Sequence, residues 1–199
     1  MRLWEYSNPN VNFDRYVFSP AGQLIETALN WIGVGGQCVV TVEGHNDFLM
    51  PVATTQWFGM TDSQNYIHVV YTNVGTGGWN VVYKKLDPSG NTLIQPHFIT
   101  TYADCWNWYL QPVTLHDDTL VVTWTRGTED ICAVASYDHG ESWTEVRTLL
   151  DRTNAPQMSC LKTVAGSDDT LHFIWRTLNW DTYEEELWYA KARLDGTLL

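Results

Sequence analysis

The stretch from Thr119 to Trp143, TLVVTWTRGTEDICAVASYDHGESW, contains two short apolar runs and a polar turn that holds a glycine. The runs extend from Thr119 to Thr125 and from Ile131 to Ser136, and they are rich in the β-branched and aromatic residues that favour strands. Asp, His, Gly and Ser follow the second run, and residues of this kind form tight turns. The stretch therefore predicts a β-hairpin followed by a tight turn into another strand.

The same arrangement occurs three times along the chain. An aromatic residue closes the first run of each unit at intervals of 53 and 51 residues, and a glycine marks the later turn at intervals of 50 and 56 residues. Repeats of about 50 residues that hold several short strands are typical of β-propeller blades. The recurring aromatics are Tyr71, Trp124 and Trp175, and the recurring glycines are Gly90, Gly140 and Gly196.

We therefore predict one all-β domain, a β-propeller of about four blades built from four-stranded antiparallel sheets. The first unit is expected to lack its first strand, and Ser19 to Gly22 is likened to the later turn of the other units, Asp87 to Gly90. Two closures fit this count: a small closed ring, or a partial ring completed by another chain. Within the domain, residues 1–199, we expect a partial blade at 1–32, an irregular insert at 33–48, and blades at about 49–100, 101–153 and 154–199.

The turn at the centre of the chain resembles a known motif. Ser136-Tyr137-Asp138-His139-Gly140-Glu141-Ser142-Trp143 matches S-x-D-x-G-x-[ST]-W, and it resembles the Asp-box of the BNR repeats in sialidase-like β-propellers. We expect Asp138 to accept backbone N–H bonds across the turn, Gly140 to adopt a positive φ, and Trp143 to pack under the turn. The resemblance covers most of residues 60–199 and, more weakly, 1–30. It implies the propeller fold, and it implies that the motif, including Ser136 and Ser142, is structural rather than catalytic.

Composition excludes several classes of function. The chain has 11 Lys and Arg against 23 Asp and Glu, which gives a net charge of −12. Such a surface repels phosphate backbones and anionic headgroups, so we expect no nucleic-acid partner and no membrane insertion. The four cysteines are widely spaced without a Cys/His cluster, so no metal or cofactor is predicted. Buried free thiols and one or two disulfides both fit this spacing.

The resemblance also implies which residues a sialidase-like enzyme would need. Such an enzyme holds a substrate carboxylate with three arginines and uses a Tyr nucleophile, a Glu and an Asp. None of the seven arginines stands in the Arg-Ile-Pro setting that opens family enzymes, and we predict no catalytic residue. Arg126 and Arg176 each follow the closing aromatic of a strand, so we expect them near one rim, as solvated strand-end residues or as ligand-binding residues.

Aromatic residues supply the candidate binding site. The chain has 11 Trp, 10 Tyr and 6 Phe, and three of the tryptophans are expected in or beside loops flanked by Asn and Asp. Aromatic faces beside such polar groups suit stacking on sugar rings and hydrogen bonding to hydroxyls. Sealing of the core and contact with another protein are the alternative roles for these residues. The three candidates are Trp106, Trp108 and Trp180.

The sequence therefore predicts a non-catalytic recognition or adhesion module with a glycan as its ligand, exposed outside a cell or on a particle. One alternative is a structural or assembly subunit that self-associates or is completed by another chain. Another alternative is a degenerate or split glycoside hydrolase.

Overall fold

The computed structural model describes residues 11–18, 20–22, 24–31, 36–42, 48–51, 57–75, 78–101, 107–127, 130–152, 157–179 and 182–199. These residues form fifteen strands in four separate antiparallel sheets, and no helix among them is long and apolar enough to cross a membrane. The fold is all-β, as the strand-rich repeats predict.

Each sheet follows the chain in simple up-and-down order, which defines it as one blade. The first blade contains β1 (Val11–Phe18), β2 (Leu24–Trp31), β3 (Gly36–Val42) and β4 (Phe48–Pro51), and the second contains β5 (Trp57–Thr61), β6 (Ile67–Gly75), β7 (Gly78–Leu86) and β8 (Thr92–Phe98). The third blade contains β9 (Asn107–Thr114), β10 (Leu120–Arg126), β11 (Asp130–Ser136) and β12 (Arg147–Leu150), and the fourth contains β13 (Met158–Ala165), β14 (Leu171–Leu178) and β15 (Glu185–Ala192).

The first blade differs from the sequence prediction. The segment predicted as part of an irregular insert forms β3, which pairs along its whole length with β2, and β4 then pairs with β3. The turn at 20–22 joins the first and second strands of the blade rather than its third and fourth strands. The first unit is therefore a complete four-stranded sheet. The first ten residues of the predicted partial blade lie outside the described residues.

The middle strands of the third blade are buried because neighbouring sheets cover both of their faces. All but the last residue of β10 and all but the first residue of β11 are buried. The outer strand β8 instead has no fully buried residue. Continuous apolar runs without alternation are expected for strands that are covered on both sides.

Two apolar clusters hold the second, third and fourth blades together. Val70, Val81 and Tyr83 of the second blade pack against Leu120, Val122 and Trp124 of the third. On the other side, Val121, Ile131 and Ala133 of the third blade pack against Leu171, Phe173 and Trp175 of the fourth. The first blade contacts the second through β1, β2 and β5.

A repeated hydrogen bond links the turns between the first and second strands of successive blades. In each of three blades this turn holds an Asn or Asp residue whose φ is positive, at 65°, 66° and 56°. The side chain of that residue accepts a hydrogen bond from a backbone N–H in the turn of the preceding blade. The bonds run from Ala21 N to Asn65 Oδ1 (2.8 Å), from Ser63 N to Asp118 Oδ1 (2.9 Å) and from His116 N to Asp169 Oδ1 (2.8 Å).

The up-and-down order gives the molecule two distinct ends. The turns between first and second strands and between third and fourth strands lie at one end, which we name the turn face. The hairpins between second and third strands and the connections between blades lie at the other end, which we name the hairpin face. After β15 the chain turns back, and Leu198 forms a single β-bridge with Ala192.

Candidate functional site

The turn from Ser136 to Trp143 has the predicted local geometry. Asp138 accepts hydrogen bonds from the backbone N–H of Ser142 (2.9 Å), from its hydroxyl (2.5 Å) and from the hydroxyl of Ser136 (2.8 Å). Slight burial of Asp138 raises its pKa, but these hydrogen bonds outweigh that effect and lower the pKa to about 2. Gly140 has a φ of 91°, and its N–H donates to Ser136 Oγ over 2.7 Å.

The same turn closes over the second blade. The Trp143 ring meets the Tyr83 ring edge to face, with centroids 5.0 Å apart. A Cβ on Gly140 would overlap the Tyr83 hydroxyl. Lys85 Nζ lies 3.3 Å from Glu141 Oε1. The turn thus acts as an inter-blade contact, which is a structural role.

A buried polar network lies beneath this contact. The fully buried His68 places Nδ1 2.8 Å from the Tyr83 hydroxyl and Nε2 3.2 Å from Asp62 Oδ2. His139, from the turn of the third blade, places Nδ1 3.0 Å from the same Asp62 oxygen. Buried polar groups of this kind need hydrogen-bond partners, and the network supplies them across the blade boundary.

Burial determines the protonation of this network. Burial lowers the pKa of His68, and the nearby Asp62 carboxylate offsets only part of that effect. Burial raises the pKa of Asp62, but its bonds with His68 and His139 outweigh burial, so the pKa lies below the ordinary 3.8. At neutral pH His68 is therefore neutral and Asp62 is ionised.

The hairpin face of the fourth blade carries an aromatic stack. Trp175 of β14 and Trp188 of β15 are cross-strand partners with ring planes 8° apart and centroids separated by 6.3 Å. The Arg152 guanidinium lies 5.2 Å from the Trp175 ring, and the Trp188 indole N–H donates to Thr177 Oγ1 over 3.1 Å. Trp175 is buried, whereas 43% of Trp188 remains exposed. The stack fixes Trp188 in orientation while leaving part of its ring in solvent.

A groove of about 470 Å³ lies next to this stack, at the end of the β14–β15 hairpin. Thr177 belongs to both features, since it accepts the Trp188 N–H and also lines the groove. Apart from Thr177, the groove is lined by Asn179 and by the exposed side chains of Glu184, Glu185 and Glu186. Amide, hydroxyl and carboxylate groups beside a fixed aromatic ring can bind a polyhydroxylated ligand.

The two predicted binding arginines are each held by a carboxylate of their own blade. Arg126 donates to Asp130 Oδ2 over 2.7 Å and to Thr148 Oγ1 over 2.9 Å. Arg176 Nη1 lies 3.1 Å from Glu185 Oε1. Both arginines lie near the hairpin face, but they occupy non-equivalent positions on β10 and β14. Their role in ligand binding remains a prediction.

The predicted tryptophans are only partly covered by the described residues. Trp108 lies on β9, where it pairs with Thr125 one residue before Arg126, so its backbone is at the hairpin face. Trp106 lies outside the described residues, next to this strand. Trp180 also lies outside them, between Asn179 of the groove and Thr182. Their binding role stays a prediction.

Sequence reasoning missed Trp188, Thr177 and Arg152. Trp175 and Trp188 stand at symmetric positions across the β14–β15 hairpin. That symmetry was a readable signal for a cross-strand aromatic pair. Among the residues that the structure describes, no cluster of His, Cys, Asp and Glu could hold a metal ion.

Comparison with known proteins identifies the architecture. No family model and no curated protein matches the chain. Solved structures do match it, including a GH62 hydrolase in complex with xylotriose at 10% identity and a TM-score of 0.60, where the match covers 100% of this chain and 71% of that one. An α-L-arabinanase of Penicillium chrysogenum complexed with arabinobiose matches at 12% identity and a TM-score of 0.66, over 98% of this chain and 66% of that one.

A Hadza microbial sialidase matches at 13% identity and a TM-score of 0.63, over 93% of this chain. The chain spans only 45% of that sialidase, so it is much shorter than this matched structure. Likenesses at such low identity show the fold alone. Together with the four antiparallel sheets, they identify the chain as an all-β propeller similar in architecture to β-propeller glycosidases.

Proposed function

We propose that this chain is a non-catalytic glycan-recognition module whose ligand lies against Trp188 in the groove of the fourth blade. The observation that carries the proposal is the partly exposed Trp188, held by Trp175 and Thr177 beside the polar groove. An aromatic ring that is already fixed loses little side-chain entropy when it stacks on a sugar ring.

The size and polarity of the groove support a carbohydrate ligand. A volume of about 470 Å³ is within the usual range for small-molecule sites. Asn179 offers both donors and acceptors, and the glutamates at the end of the hairpin offer acceptors. The matched hydrolase and arabinanase carry bound xylotriose and arabinobiose on the same type of scaffold, which supports the ligand class.

The charges in the groove favour neutral over anionic glycans. Three consecutive glutamates, Glu184 to Glu186, lie at the groove. Arg176, on the neighbouring strand β14, is paired with Glu185. A sialic acid carboxylate would therefore be repelled, because the described residues that line the groove include no arginine to hold it.

Among the described residues of the groove, the carboxyl groups do not have the arrangement that glycoside hydrolysis requires. A glycosidase places two carboxyl groups on either side of the scissile bond and raises the pKa of one of them by burial. Glu184 to Glu186 come from one short segment, and all three are exposed. A binding role is therefore the better match to this geometry.

Binding to an array of neutral and sialylated oligosaccharides, followed by calorimetric titration of the best ligand, tests the proposal. Trp188→Ala is expected to weaken binding at least about tenfold, about 1.4 kcal/mol, because the stacking surface is lost. Tyr137→Ala is the matched control, since Tyr137 is 67% exposed on the turn face. Equal affinity of the Trp188→Ala variant, or a clear preference for sialylated ligands, would contradict the proposal. Trp106→Ala, Trp108→Ala and Trp180→Ala test whether the site extends to the tryptophans predicted from sequence.

A further inference from the structure

The groove of the fourth blade runs along the β14–β15 hairpin over three successive cross-strand pairs. Two of these pairs belong to the β-ladder, and the third is closed by a backbone hydrogen bond of 3.0 Å just beyond the strands. Residues of all three pairs line the groove, so it extends from the level of Trp188 to the tip of the hairpin. The three pairs are Thr177 with Glu186, Leu178 with Glu185, and Asn179 with Glu184.

Tyr183 lies at the tip end of this groove, next to two of the residues that line it. It directly precedes Glu184 in the chain, and its backbone N–H donates to the Asn179 carbonyl oxygen over 2.7 Å. Tyr183 is 75% exposed. Trp188 adjoins the other end of the groove through its hydrogen bond to Thr177. An exposed aromatic residue therefore stands at each end of the groove.

Hydrogen bonds within the hairpin tip fix the backbone around Tyr183. The Thr182 N–H donates to Asn179 Oδ1 over 3.3 Å, and the Thr182 hydroxyl donates to Glu184 Oε2 over 3.0 Å. These bonds add to the one that Tyr183 itself donates to Asn179. A tyrosine on a fixed backbone has only two side-chain torsions to order, so binding through its ring costs little conformational entropy.

The backbone conformation of Tyr183 is unfavourable for a tyrosine. Its φ is 58°, in the left-handed region that Gly, Asn and Asp adopt at least cost. Tyr109 also has a positive φ, 53°, but it packs against the apolar cluster between the third and fourth blades. Tyr183 is exposed instead, so its ring adds no comparable burial to the fold. Strained residues of this kind cluster at ligand-binding sites, which indicates a role for the exposed ring in binding.

We propose that Tyr183 forms a second stacking subsite, and that the ligand is a linear neutral oligosaccharide lying along the hairpin from Trp188 to Tyr183. This inference rests on the proposed function of the groove. The segment of β15 from Glu185 to Trp188 alone spans about 10 Å, which is longer than one sugar ring. A chain of three or more sugar residues places one ring on each aromatic side chain and the intervening hydroxyls over the polar groove.

Calorimetric titration with sugars of increasing length tests the inference. The probes are linear xylo-, cello-, arabino- and galacto-oligosaccharides of one to six residues. In the series that the wild-type chain binds, the affinity is expected to rise at least about tenfold from the disaccharide to the tetrasaccharide, because only the longer ligand contacts both rings. An affinity that is already maximal for the monosaccharide or the disaccharide would overturn the inference.

Variants of Tyr183 separate this subsite from the one at Trp188. Tyr183→Ala is expected to weaken tetrasaccharide binding about fivefold and to leave disaccharide binding unchanged, whereas Tyr183→Phe retains the ring and the affinity. Tyr137→Ala is the matched control, since Tyr137 is 67% exposed on the turn face and should alter neither affinity. Unchanged tetrasaccharide binding in Tyr183→Ala would contradict a second subsite.

A loss of binding caused by unfolding is separated by Tyr183→Asn. This variant should bind the tetrasaccharide as weakly as Tyr183→Ala, yet unfold at a temperature no lower than the wild type, because Asn tolerates the positive φ. A lower unfolding temperature would show that the Tyr183 ring supports the fold, and it would contradict the argument from strain.

The proposed function and the second subsite fail in different ways. If no neutral glycan binds the wild-type chain, the proposed function is wrong and the subsite is wrong with it. If Trp188→Ala weakens disaccharide binding but neither ligand length nor Tyr183→Ala has an effect, the groove binds a glycan and only the second subsite is wrong. Binding restricted to branched glycans or to monosaccharides would also contradict a linear ligand.

Discussion

At the scale of single residues, the boundary between the second and third blades depends on a few buried polar side chains. His68 contributes two hydrogen bonds within its own blade, and Asp62 accepts from a histidine of each blade. Removing one member leaves the others buried without a partner, which costs about 1–3 kcal/mol for each group. The third blade has Val121 at the position of His68, and there the interface is apolar.

The protonation of His68 predicts a pH dependence of stability. Its pKa in the folded state lies below the ordinary 6.5, so the unfolded chain binds more protons as the pH falls below that value. The pKa of Asp62 is also lowered, so protonation of Asp62 at still lower pH destabilises the folded state as well. The free energy of unfolding should fall from about pH 7.5 to about pH 5.5, with His68 contributing up to about 1.4 kcal/mol per pH unit.

Urea denaturation of the wild type and of His68→Gln measures this effect. The glutamine amide can still donate to Asp62 and accept from the Tyr83 hydroxyl, but it does not titrate. The variant should therefore show a shallower dependence on pH. An identical slope in both proteins would show that His68 does not set the pH dependence.

Gly140 is predicted to be among the least replaceable residues of the chain. Gly140→Ala adds a Cβ that overlaps the Tyr83 hydroxyl at a residue with a φ of 91°, so about 3 kcal/mol of stability should be lost. Gly127→Ala is the matched control, since Gly127 also has a positive φ, 64°, but faces open space. Gly127→Ala should lower the free energy of unfolding by only about 1 kcal/mol. If thermal or chemical denaturation showed similar losses of stability for the two variants, the contact between Gly140 and Tyr83 would not contribute to stability.

The turn around Gly140 could be predicted from the sequence because every interaction that defines it is local. Asp138, Ser136 and Ser142 are within six residues of one another, so the spacing alone specifies their hydrogen bonds. The approach of Tyr83 could not be predicted, because it joins residues more than fifty positions apart. The stack of Trp175 and Trp188, by contrast, joins the two strands of one hairpin, so their symmetric positions could have indicated it.

At the scale of strands and turns, the blades are joined by the same turn-to-turn bond three times. Asn65, Asp118 and Asp169 combine a positive φ with a side chain that accepts from the preceding blade. Asn and Asp tolerate this backbone conformation better than other residues that have a Cβ. Asn or Asp is therefore favoured at this position for two reasons: the turn requires a positive φ, and the inter-blade hydrogen bond requires a side-chain acceptor.

Asp118 offers a test of this element. Asp118→Ala removes bonds to the backbone and hydroxyl of Ser63 and leaves a poorly suited residue at positive φ, so about 2 kcal/mol should be lost. Asp118→Asn should lose much less, since Asn65 fills the same role one blade earlier. Chemical denaturation compares the two variants. Equal losses would show that the side-chain acceptor does not join the blades.

The strand pattern could be predicted best where repeats confirm one another. The observed β10 and β11 begin and end within one residue of the two predicted runs of the third blade. The first blade was harder to predict, because the glycine-rich segment from 33 to 36 resembles a loop and hides the start of β3. A turn of the type at 20–22 can join the first and second strands of a blade or its third and fourth strands. Only the strand pairing shows that it joins the first and second strands here.

At the scale of the whole molecule, the distribution of charge predicts which ligands the chain does not bind. An overall charge of −12 and paired arginines at the hairpin face argue against binding or hydrolysis of anionic sugars. We expect no turnover of a fluorogenic sialoside. We also expect affinity for a neutral oligosaccharide to exceed that for its sialylated form. Measurable sialoside hydrolysis by the purified chain would contradict the non-catalytic role.

The architecture could be predicted because a repeat of about fifty residues is a property of the whole sequence. For the proposed site, the sequence predicts only a type of chemistry, tryptophans in or beside loops flanked by Asn and Asp. The residues that line it depend on which strand faces which, and a shift by one residue moves a side chain to the other face. Arg126 and Arg176 illustrate this, since both follow an aromatic residue but have separate partners.

The proposed site is tested most directly by the indole N–H signals of the eleven tryptophans in a ¹H–¹⁵N NMR titration with a neutral oligosaccharide. The account predicts a saturable shift of the Trp188 signal, assigned by Trp188→Phe, and no shift of the Trp143 signal on the turn face. A titration in which Trp188 is unmoved while Trp143 shifts, or in which no indole responds to any neutral glycan, would contradict it.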